Sequence, residues 1–225
     1  PLRAGMAGFR AGSYMASCDE IFVTVKGRGG HGAAPHECVD PVLMTAHILT
    51  ALQQVVSRFC DPAVPSVLSF GKICSTGGAT NILPNEVKLE GTFRTMHEKW
   101  RAEAHKRMKK MAEHIAKSMG GACEFHIVRG YPVLVNHTAL THSARTAAIS
   151  YLGKDRVAEL PLRMTAEDFA WYSQVLPACF YRLGTGNPEK GITSPVHTAT
   201  FDVDESALET GSGLMAWLAL TTPAL

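Results

Sequence analysis

The sequence lacks the patterns that mark several common classes of protein. It contains no G-x-S-x-G motif, which removes the nucleophile elbow of serine hydrolases. It has no apolar run of about 18 residues and no signal-peptide pattern, so no membrane span and no membrane partner are predicted. Its six cysteines include no C-x-x-C pair, which argues against a zinc ribbon or a disulfide framework and predicts reduced thiols in the cytoplasm.

Charge is scarce as well. The 225 residues are 46% hydrophobic and 19% charged, with a formal net charge of +2, which is the composition of a soluble globular protein. This balance gives no reason to expect nucleic acid or an anionic membrane as a partner. The length suffices for one large or two ordinary domains with ample cores. Because the chain has no initiator methionine, we also expect that a preceding segment has been removed.

A glycine-rich loop at residues 27–36 follows a strand-like run at residues 20–26. Three of its glycines spell G-x-G-x-x-G, the fingerprint of dinucleotide-binding folds, which requires an immediate helix and an acidic residue about 20 positions later. Pro35 and Pro41 delay the helix, and residues 41–60 contain no Asp or Glu. No Lys-Ser/Thr pair follows the glycines, so a phosphate-binding P-loop is excluded too.

The loop carries one imidazole near its centre, that of His31. Four glycines in six positions allow the backbone to approach another surface closely and to adopt positive φ. Such a loop suits a histidine that hydrogen bonds to a substrate or to a partner surface.

Hydrophobic periodicity predicts a strand, helix, strand, strand, helix and strand between residues 19 and 128. The predicted bounds are 19–26, 42–58, 67–75, 86–96, 98–119 and 123–128. This order is the split βαβ, or ferredoxin-like, arrangement, in which one sheet carries both helices on one face. The other face or an edge of the sheet stays free for pairing.

Beyond a boundary at residues 130–132, helices alternate with short strands. Helices are predicted at about 138–152, 166–175 and 204–220, with a strand at 179–183. The alternation is typical of part of a layered α/β domain, with too few strands for a complete doubly wound sheet. Residues 1–15 are predicted to be irregular because their glycines are closely spaced.

Two polar regions of this second part carry candidate site residues. His197 lies on a loop after a Gly-rich turn, where a neutral imidazole is either a metal ligand or an ordinary surface residue. Asp202 or Asp204 is predicted to cap the last helix in preference to binding metal. Glu167 and Asp168 lie at the start of a predicted helix, before Phe169, where they act as general acid and base or complement the helix dipole.

Asn81 and Arg94 flank the second hairpin of the predicted sheet. An arginine at the end of a strand can offer its planar guanidinium to a carboxylate. The competing interpretation is a surface arginine that pairs with nothing.

The basic helix at 98–119, which includes Arg101, raises RNA binding as a rival function. An RNA-binding sheet needs aromatic stacking residues on its central strands, and strand 86–96 offers only Phe93. A solvated helix face is therefore the preferred interpretation. Four histidines on or beside helices are likewise predicted to be surface residues: His105, His114, His137 and His142.

Seven short stretches, in order along the chain, belong together. They are MASCD at 15–19, GRGGHGAAPH at 27–36, DP at 40–41, GGATNILPN at 77–85, GTFR at 91–94, MTAEDF at 164–169 and HTATFDVDE at 197–205. This set resembles the two-metal amidohydrolase and metallopeptidase family that contains aminoacylase, hippurate hydrolase, plant auxin-conjugate hydrolases and some carboxypeptidases. The resemblance covers essentially all of the chain.

The resemblance implies a mixed α/β architecture. Residues 17–129 would be a ferredoxin-like lid, or dimerisation domain, inserted into an α/β metallopeptidase catalytic domain. Residues 1–16 and 130–225 would belong to that catalytic domain. A homodimer that pairs through the lid is implied as well.

The resemblance also implies roles for individual residues. His31 would polarise the scissile carbonyl or steady the oxyanion, reaching the active site of a partner subunit. Asn81 and Arg94 would hold the polar end of the substrate, and His197 would be the last metal ligand. The implied reaction is hydrolysis of an N-acyl amino acid or related amide by water activated on two divalent metals, of the kind Zn, Mn, Ni or Co.

One part of the family pattern is missing. The family's other metal ligands, including a Cys/His pair, and its catalytic glutamate have no match in the chain and belong to a stretch before its first residue. We therefore expect the carboxy-terminal part of an enzyme, with an incomplete catalytic domain, that neither holds metal nor hydrolyses amides alone. The rival hypothesis is a non-enzymatic ferredoxin-like dimerisation or binding module.

Overall fold

The computed structural model describes residues 2–221 and divides into two units. The central unit comprises Met15–Val133 and Met164–Asp168. The flanking unit comprises the described residues up to Tyr14, then Leu134–Arg163, and the described residues from Phe169 onward. Each unit has a hydrophobic core of its own.

The secondary structure is a mixture of helices and short sheets. The α-helices are α1 (Pro41–Gln54), α2 (Glu98–Ser118), α3 (Thr138–Leu152) and α4 (Ser206–Thr221). The strands are β1 (Ala7–Phe9), β2 (Gly12–Met15), β3 (Asp19–Lys26), β4 (Gly30–His31), β5 (Ser66–Ser75), β6 (Ile82–Leu83), β7 (Glu86–Thr95), β8 (Ala122–Arg129), β9 (Leu134–Asn136), β10 (Val157–Glu159) and β11 (Arg182–Leu183). Within residues 2–221, no helix combines the length and apolar character needed to cross a membrane.

The central unit is built on a four-stranded sheet with the order β5-β7-β3-β8. All neighbours in this sheet are antiparallel, and Val23 of β3 lies between Leu89 of β7 and Phe125 of β8. Because side chains alternate along a strand, these three residues point to the same face. The strand and helix order predicted for residues 19–128 is therefore present.

Both helices of the central unit pack against that one face. Met44, Ile48 and Leu52 of α1 are fully buried in the same core as Ala104 and Met108 of α2. The apolar positions repeat with the helical period, which gives each helix one buried stripe. Among the described residues of the central unit, both α-helices therefore lie on one face of the sheet.

Local sequence sets where the two helices begin. The Asp40 side chain accepts hydrogen bonds from the amides of Val42 (2.8 Å) and Leu43 (3.2 Å), and Pro41 occupies the first helical position. In α2 the N-cap is His97, whose Nδ1 accepts from the Trp100 amide at 3.2 Å.

The flanking unit has smaller sheets. Strand β1 pairs in parallel with β10 and antiparallel with β11, and β2 pairs with β9. Helices α3 and α4 pack together over a core that includes Phe9, Ala148 and Leu214.

Three predictions for the flanking unit need correction. The first fifteen residues are not irregular throughout, because β1 and β2 both fall within them. The predicted strand at 179–183 is reduced to Arg182–Leu183, and the predicted helix at 166–175 is a 3₁₀ helix, Asp168–Gln174. Hydrophobic periodicity cannot distinguish such short irregular elements from longer regular ones.

Candidate functional site

The glycine loop is packed tightly against two neighbouring segments. A Cβ atom on Gly27 would lie 2.1 Å from the Val39 carbonyl oxygen, and one on Gly29 would lie 2.4 Å from that of Leu83. Close backbone approach is therefore the reason for glycine here. None of the glycines in this loop has a positive φ, since the positive-φ glycines among the described residues lie elsewhere.

The loop presents His31 to solvent with one ring nitrogen hydrogen-bonded. His31 belongs to the two-residue strand β4, which pairs antiparallel with β6 and places it opposite Ile82. Its Nδ1 accepts a hydrogen bond from the Ala33 amide at 3.1 Å. In the neutral ring, one nitrogen accepts and the other carries the proton, so Nε2 is the donor that His31 offers outward.

Asn81 is brought next to His31 by the same pairing. The Asn81 carbonyl accepts from the Gly32 amide at 2.8 Å, and its side chain is exposed. The Asn85 side chain also holds the glycine loop in place, because its Oδ1 accepts a hydrogen bond from the Gly29 amide at 2.9 Å. Backbone pairing of Gly32 with Asn81 and of His31 with Ile82 thus brings His31 and Asn81 close in the chain fold.

Arg94 lies on strand β7, opposite Val67 of β5. It is half-buried, and its Nη1 donates to the Met164 carbonyl at 3.4 Å. Among the described residues, no carboxylate approaches its guanidinium within 4.0 Å, and it makes no hydrogen bond to His31 or Asn81. A half-buried guanidinium in this position can offer its planar donors to a ligand carboxylate.

His197 lies in the flanking unit, on an exposed loop. Its φ of 67° is in the left-handed region, which is uncommon for a residue other than glycine and recurs at functional sites. Neighbouring side chains fix the loop, because Thr198 Oγ1 donates to the Pro195 carbonyl and the Ser194 and Thr200 hydroxyls share a hydrogen bond, both at 2.8 Å.

The described residues do not make a metal site by themselves. Across residues 2–221, no three His, Cys, Asp or Glu side chains come together in a way that could hold a metal ion. A catalytic zinc-type site uses about three protein ligands and an open position. His197 therefore lacks the neighbouring ligands that would complete a metal centre within residues 2–221.

Asp204 has the structural role predicted for it. Its Oδ1 accepts from the Ser206 amide at 3.0 Å, at the start of α4, and from Lys190 Nζ at 3.1 Å. Hydrogen bonds from the Asn187 side chain and then from Ser206 hold the pKa of the Asp204 carboxyl far below its usual range. The prediction that Asp204 caps the last helix is confirmed.

A buried ion network under the sheet was missed by the sequence analysis. Asp19 and Arg101 are both buried. The guanidinium donates two hydrogen bonds to the carboxylate, one of them from Nε at 2.9 Å. Glu98 accepts from the same guanidinium at 3.1 Å, and His105 Nε2 lies 2.7 Å from Asp19 Oδ2. The predictions of a solvated Arg101 and a surface His105 are therefore wrong.

The electrostatics of this network favour an ionised Asp19. Burial raises the pKa of the Asp19 carboxyl, but hydrogen bonds from His105 and Arg101 outweigh burial and hold that pKa below its ordinary value. The sequence did indicate that Asp19 is buried. Asp19, Ile21 and Val23 occupy every second position of their strand and therefore share its inward face. A carboxylate at such a position requires a buried cation, which Arg101 supplies from α2.

The order of these elements and loops can now be compared with known proteins. Residues 4–221 match the model of peptidase family M20/M25/M40. The chain belongs to this family. The match includes the glycine loop, the β7 arginine and the His197 loop, which the sequence analysis had grouped as one set of motifs.

Individual relatives agree with this membership. The chain is 34% identical to thermostable carboxypeptidase 2 of Saccharolobus solfataricus, over 96% of the chain and 54% of that protein. It is 33% identical to N-acetyldiaminopimelate deacetylase of Enterococcus faecalis, over 92% of the chain and 53% of that protein. The YXEP protein of Bacillus subtilis, a dinuclear metal-binding peptidase of the M20 family, superimposes with a TM-score of 0.77 at 27% identity, over 97% of the chain and 54% of that protein. The chain thus spans about half the length of the relatives that it matches.

Proposed function

We propose that this chain takes part in a metal-dependent amidohydrolase that hydrolyses N-acyl amino acids or related, hippurate-like amides, as aminoacylases and hippurate hydrolases do. The observation that carries the proposal is His31, whose outward Nε2–H is fixed by the Ala33 amide at Nδ1. A donor held in this way can polarise a scissile carbonyl and stabilise the oxyanion that develops on it. The E. faecalis relative acts as a deacetylase of an N-acyl amino acid, which is the same class of reaction.

The substrate's other end would be held by Asn81 and Arg94. The guanidinium of Arg94 offers a planar fork to a carboxylate, and the exposed amide of Asn81 can donate to a polar group beside His31. Together these residues bind and orient a substrate that carries an amide and a free acid.

The metal requirement is the second part of the proposal. A divalent metal pair supplies an activated water in such enzymes, and the B. subtilis relative binds two metals. His197 would contribute one ligand, and its exposed, left-handed position is consistent with a residue held for a ligand. Because residues 2–221 lack a group of three potential ligands, we infer that hydrolysis needs groups in addition to those of this chain.

The domain assignment follows from the same reasoning. We propose that residues 17–129 are a ferredoxin-like lid between catalytic segments 1–16 and 130–225, and that two chains pair through the lid. The strand order β5-β7-β3-β8, with helices on one face, supports this assignment. Strand β5 is an edge strand and could extend the sheet of a second copy. The same edge favours the alternative function, a dimerisation or binding module without catalysis.

Hydrolysis assays distinguish the two functions. Hippurate and N-acetyl amino acids are tested with added Mn²⁺ or Zn²⁺, first with the 225-residue chain and then with a chimera that adds the unmatched portion of the S. solfataricus carboxypeptidase. We expect turnover by the chimera only, lost in His31→Ala and kept in His36→Ala, which removes an exposed histidine of the same loop. An active chimera that is indifferent to His31→Ala contradicts the proposed role, and turnover by the chain alone contradicts the inferred need for further groups.

A further inference from the structure

One large apolar side chain is exposed beside the candidate site residues. Ile82, on β6, is 53% exposed, and the residues that precede it, 76–81, are all small or polar. Single exposed apolar residues are common on protein surfaces, so exposure alone assigns no role to Ile82. Its position relative to His31 does assign one.

The pairing of β4 with β6 sets the distance between these two side chains. Ile82 lies directly opposite His31, and at the next position the Gly32 amide donates to the Asn81 carbonyl at 2.8 Å. Because hydrogen-bonded and non-hydrogen-bonded pairs alternate along an antiparallel ladder, His31 and Ile82 form a non-hydrogen-bonded pair, in which side chains are closest. Their Cβ atoms are therefore about 4.5–5.5 Å apart, on the same face of the two strands.

The backbone that carries this pair is held from both sides. Asn85 accepts from the Gly29 amide through its side chain and from the Gly27 amide through its carbonyl, both at 2.9 Å. The Ile82 amide donates to the Ala79 carbonyl at 3.4 Å and closes the turn before β6. The β-branched side chain of Ile82 is also restricted at χ1, so it loses little conformational freedom when a ligand packs against it.

A substrate amide bonded to His31 would bring its acyl group to Ile82. The His31 Nε2 donor and the carbonyl oxygen would be about 2.9 Å apart, and the acyl group starts at that same carbonyl carbon. The amine side of the substrate carries the carboxylate, which the proposed function assigns to Asn81 and Arg94. The acyl group is therefore the branch left for Ile82, and contact with an apolar acyl group would remove apolar surface of both from water.

We propose that Ile82 is a specificity-determining residue, which contacts the acyl group of the substrate and favours bulky apolar acyl groups such as benzoyl over acetyl. The inference rests on the proposed function and deepens it, because it names the class of acyl group that the site prefers.

Nuclear Overhauser effects (NOEs) test the contact without turnover. The 225-residue chain, labelled at its isoleucine methyl groups, is mixed with hippurate, whose acyl group is benzoyl. We expect NOEs from the benzoyl protons to the Ile82 δ1 methyl and to the His31 ring, and none to the Ile73 δ1 methyl, which is on β5 and belongs to a 60% exposed residue. NOEs to His31 without any to Ile82 would overturn the inference and leave the role of His31 intact. Absence of both would overturn both.

Kinetics of the chimera test the preference itself. Hippurate and N-acetylglycine share their glycine and differ only in the acyl group, so the ratio of their kcat/KM values isolates the acyl contact. Ile82→Ala should lower the ratio of hippurate to N-acetylglycine about tenfold, and Ile82→Val about threefold. Val128→Ala, at a 43% exposed position on β8, should leave the ratio unchanged.

The kinetic outcomes separate this inference from the proposed function. An active Ile82→Ala chimera with an unchanged ratio would overturn the inference while the proposed function stands, as would an equal fall in Val128→Ala. A chimera that is inactive without any substitution contradicts the proposed function, and the NOEs then decide whether Ile82 contacts the acyl group.

Discussion

The two units of this chain treat charge and apolar surface differently. The central unit gathers fifteen buried residues into one cluster and encloses a paired carboxylate and guanidinium, Asp19 and Arg101. The core cluster of the flanking unit has seven buried residues, counted over the described part of the chain. Its helix α4 leaves Leu208 and Leu220 exposed by 65% and 84%, and its arginines at positions 10, 163 and 182 have no carboxylate within 4.0 Å among residues 2–221.

The difference indicates where each unit derives its stability. In the central unit, one face of a single sheet is covered by two helices, so apolar burial and a satisfied ion network reinforce each other. In the flanking unit, the five short strands of the described residues, in two small sheets, and helices rich in alanine bury less side-chain volume. We therefore expect the central unit to be the more stable of the two, and the substitutions below test that expectation.

The largest effect is expected from Arg101→Met. Removing the guanidinium leaves the Asp19 carboxylate buried and unpaired, which should cost about 3–5 kcal/mol of unfolding free energy. Urea unfolding followed by circular dichroism measures it. Lys109→Met, which breaks an exposed pair with Glu113, should cost no more than about 1 kcal/mol.

A second change at Asp19 tests the explanation itself. Adding Asp19→Leu to Arg101→Met removes the stranded charge, so the double variant should regain part of the lost stability. If Arg101→Met is no more costly than Lys109→Met, the buried ion pair is not what distinguishes the central unit.

The two cores can be compared through one substitution in each. Leu52→Ala in the central unit and Leu214→Ala in the flanking unit both empty a fully buried site, at an expected cost of about 2–5 kcal/mol. We expect the Leu52 variant to lie at the upper end, because its tightly surrounded site can collapse least. Leu208→Ala, at a 65% exposed position, should stay within about 0.5 kcal/mol. Hydrogen exchange would assign each loss to its unit, and a larger loss for Leu214→Ala would reverse the expected order.

The sequence predicted the parts of the fold that depend on residues close together in the chain, and it failed where residues far apart in the chain meet. Residues 19–128 follow local rules: alternation along the strands, a helical period in α1 and α2, and an Asp-Pro start at Asp40. Their bounds were accordingly predicted to within a few residues. Asp19 was predictable in principle from strand alternation, whereas its partner Arg101 was placed on the solvated face of the helix at 98–119.

The roles of the candidate site residues stay predictions, and their arrangement could not be predicted from the sequence. Glycine spacing and strand position selected His31, Asn81 and Arg94, yet the ring nitrogen that His31 exposes depends on one amide that only the fold places. The short strands of the flanking unit depend on pairings between residues far apart in sequence, such as Ala7 of β1 with Val157 of β10, so no local pattern reveals them.

Acid should weaken the central unit through Asp19. Its folded-state pKa is lowered, so the carboxylate stabilises the fold above its unfolded pKa of about 3.9 and loses that contribution as the pH falls through the folded value. The unfolding free energy, followed by hydrogen exchange of the β3 and β8 amides, should therefore fall below about pH 4. Asp19→Asn, which cannot ionise, should flatten this dependence within the central unit. An unchanged slope in that variant would mean that other carboxylates cause the loss.

The smallest effect is expected at the start of α1, where Asp40→Ala removes an acceptor for the amides of Val42 and Leu43. The loss of an N-cap typically costs about 0.5–2 kcal/mol, and Asp40→Asn should restore most of it because its side-chain oxygen can accept the same bonds. Exchange of those two amides should accelerate in the alanine variant only. The Gly32 amide, bonded to the Asn81 carbonyl, should stay protected, since its hydrogen bond does not involve the cap. If Gly32 also exchanged faster, the helix start and the loop that carries His31 would form one cooperative element, and the central unit would be less robust than its large core suggests.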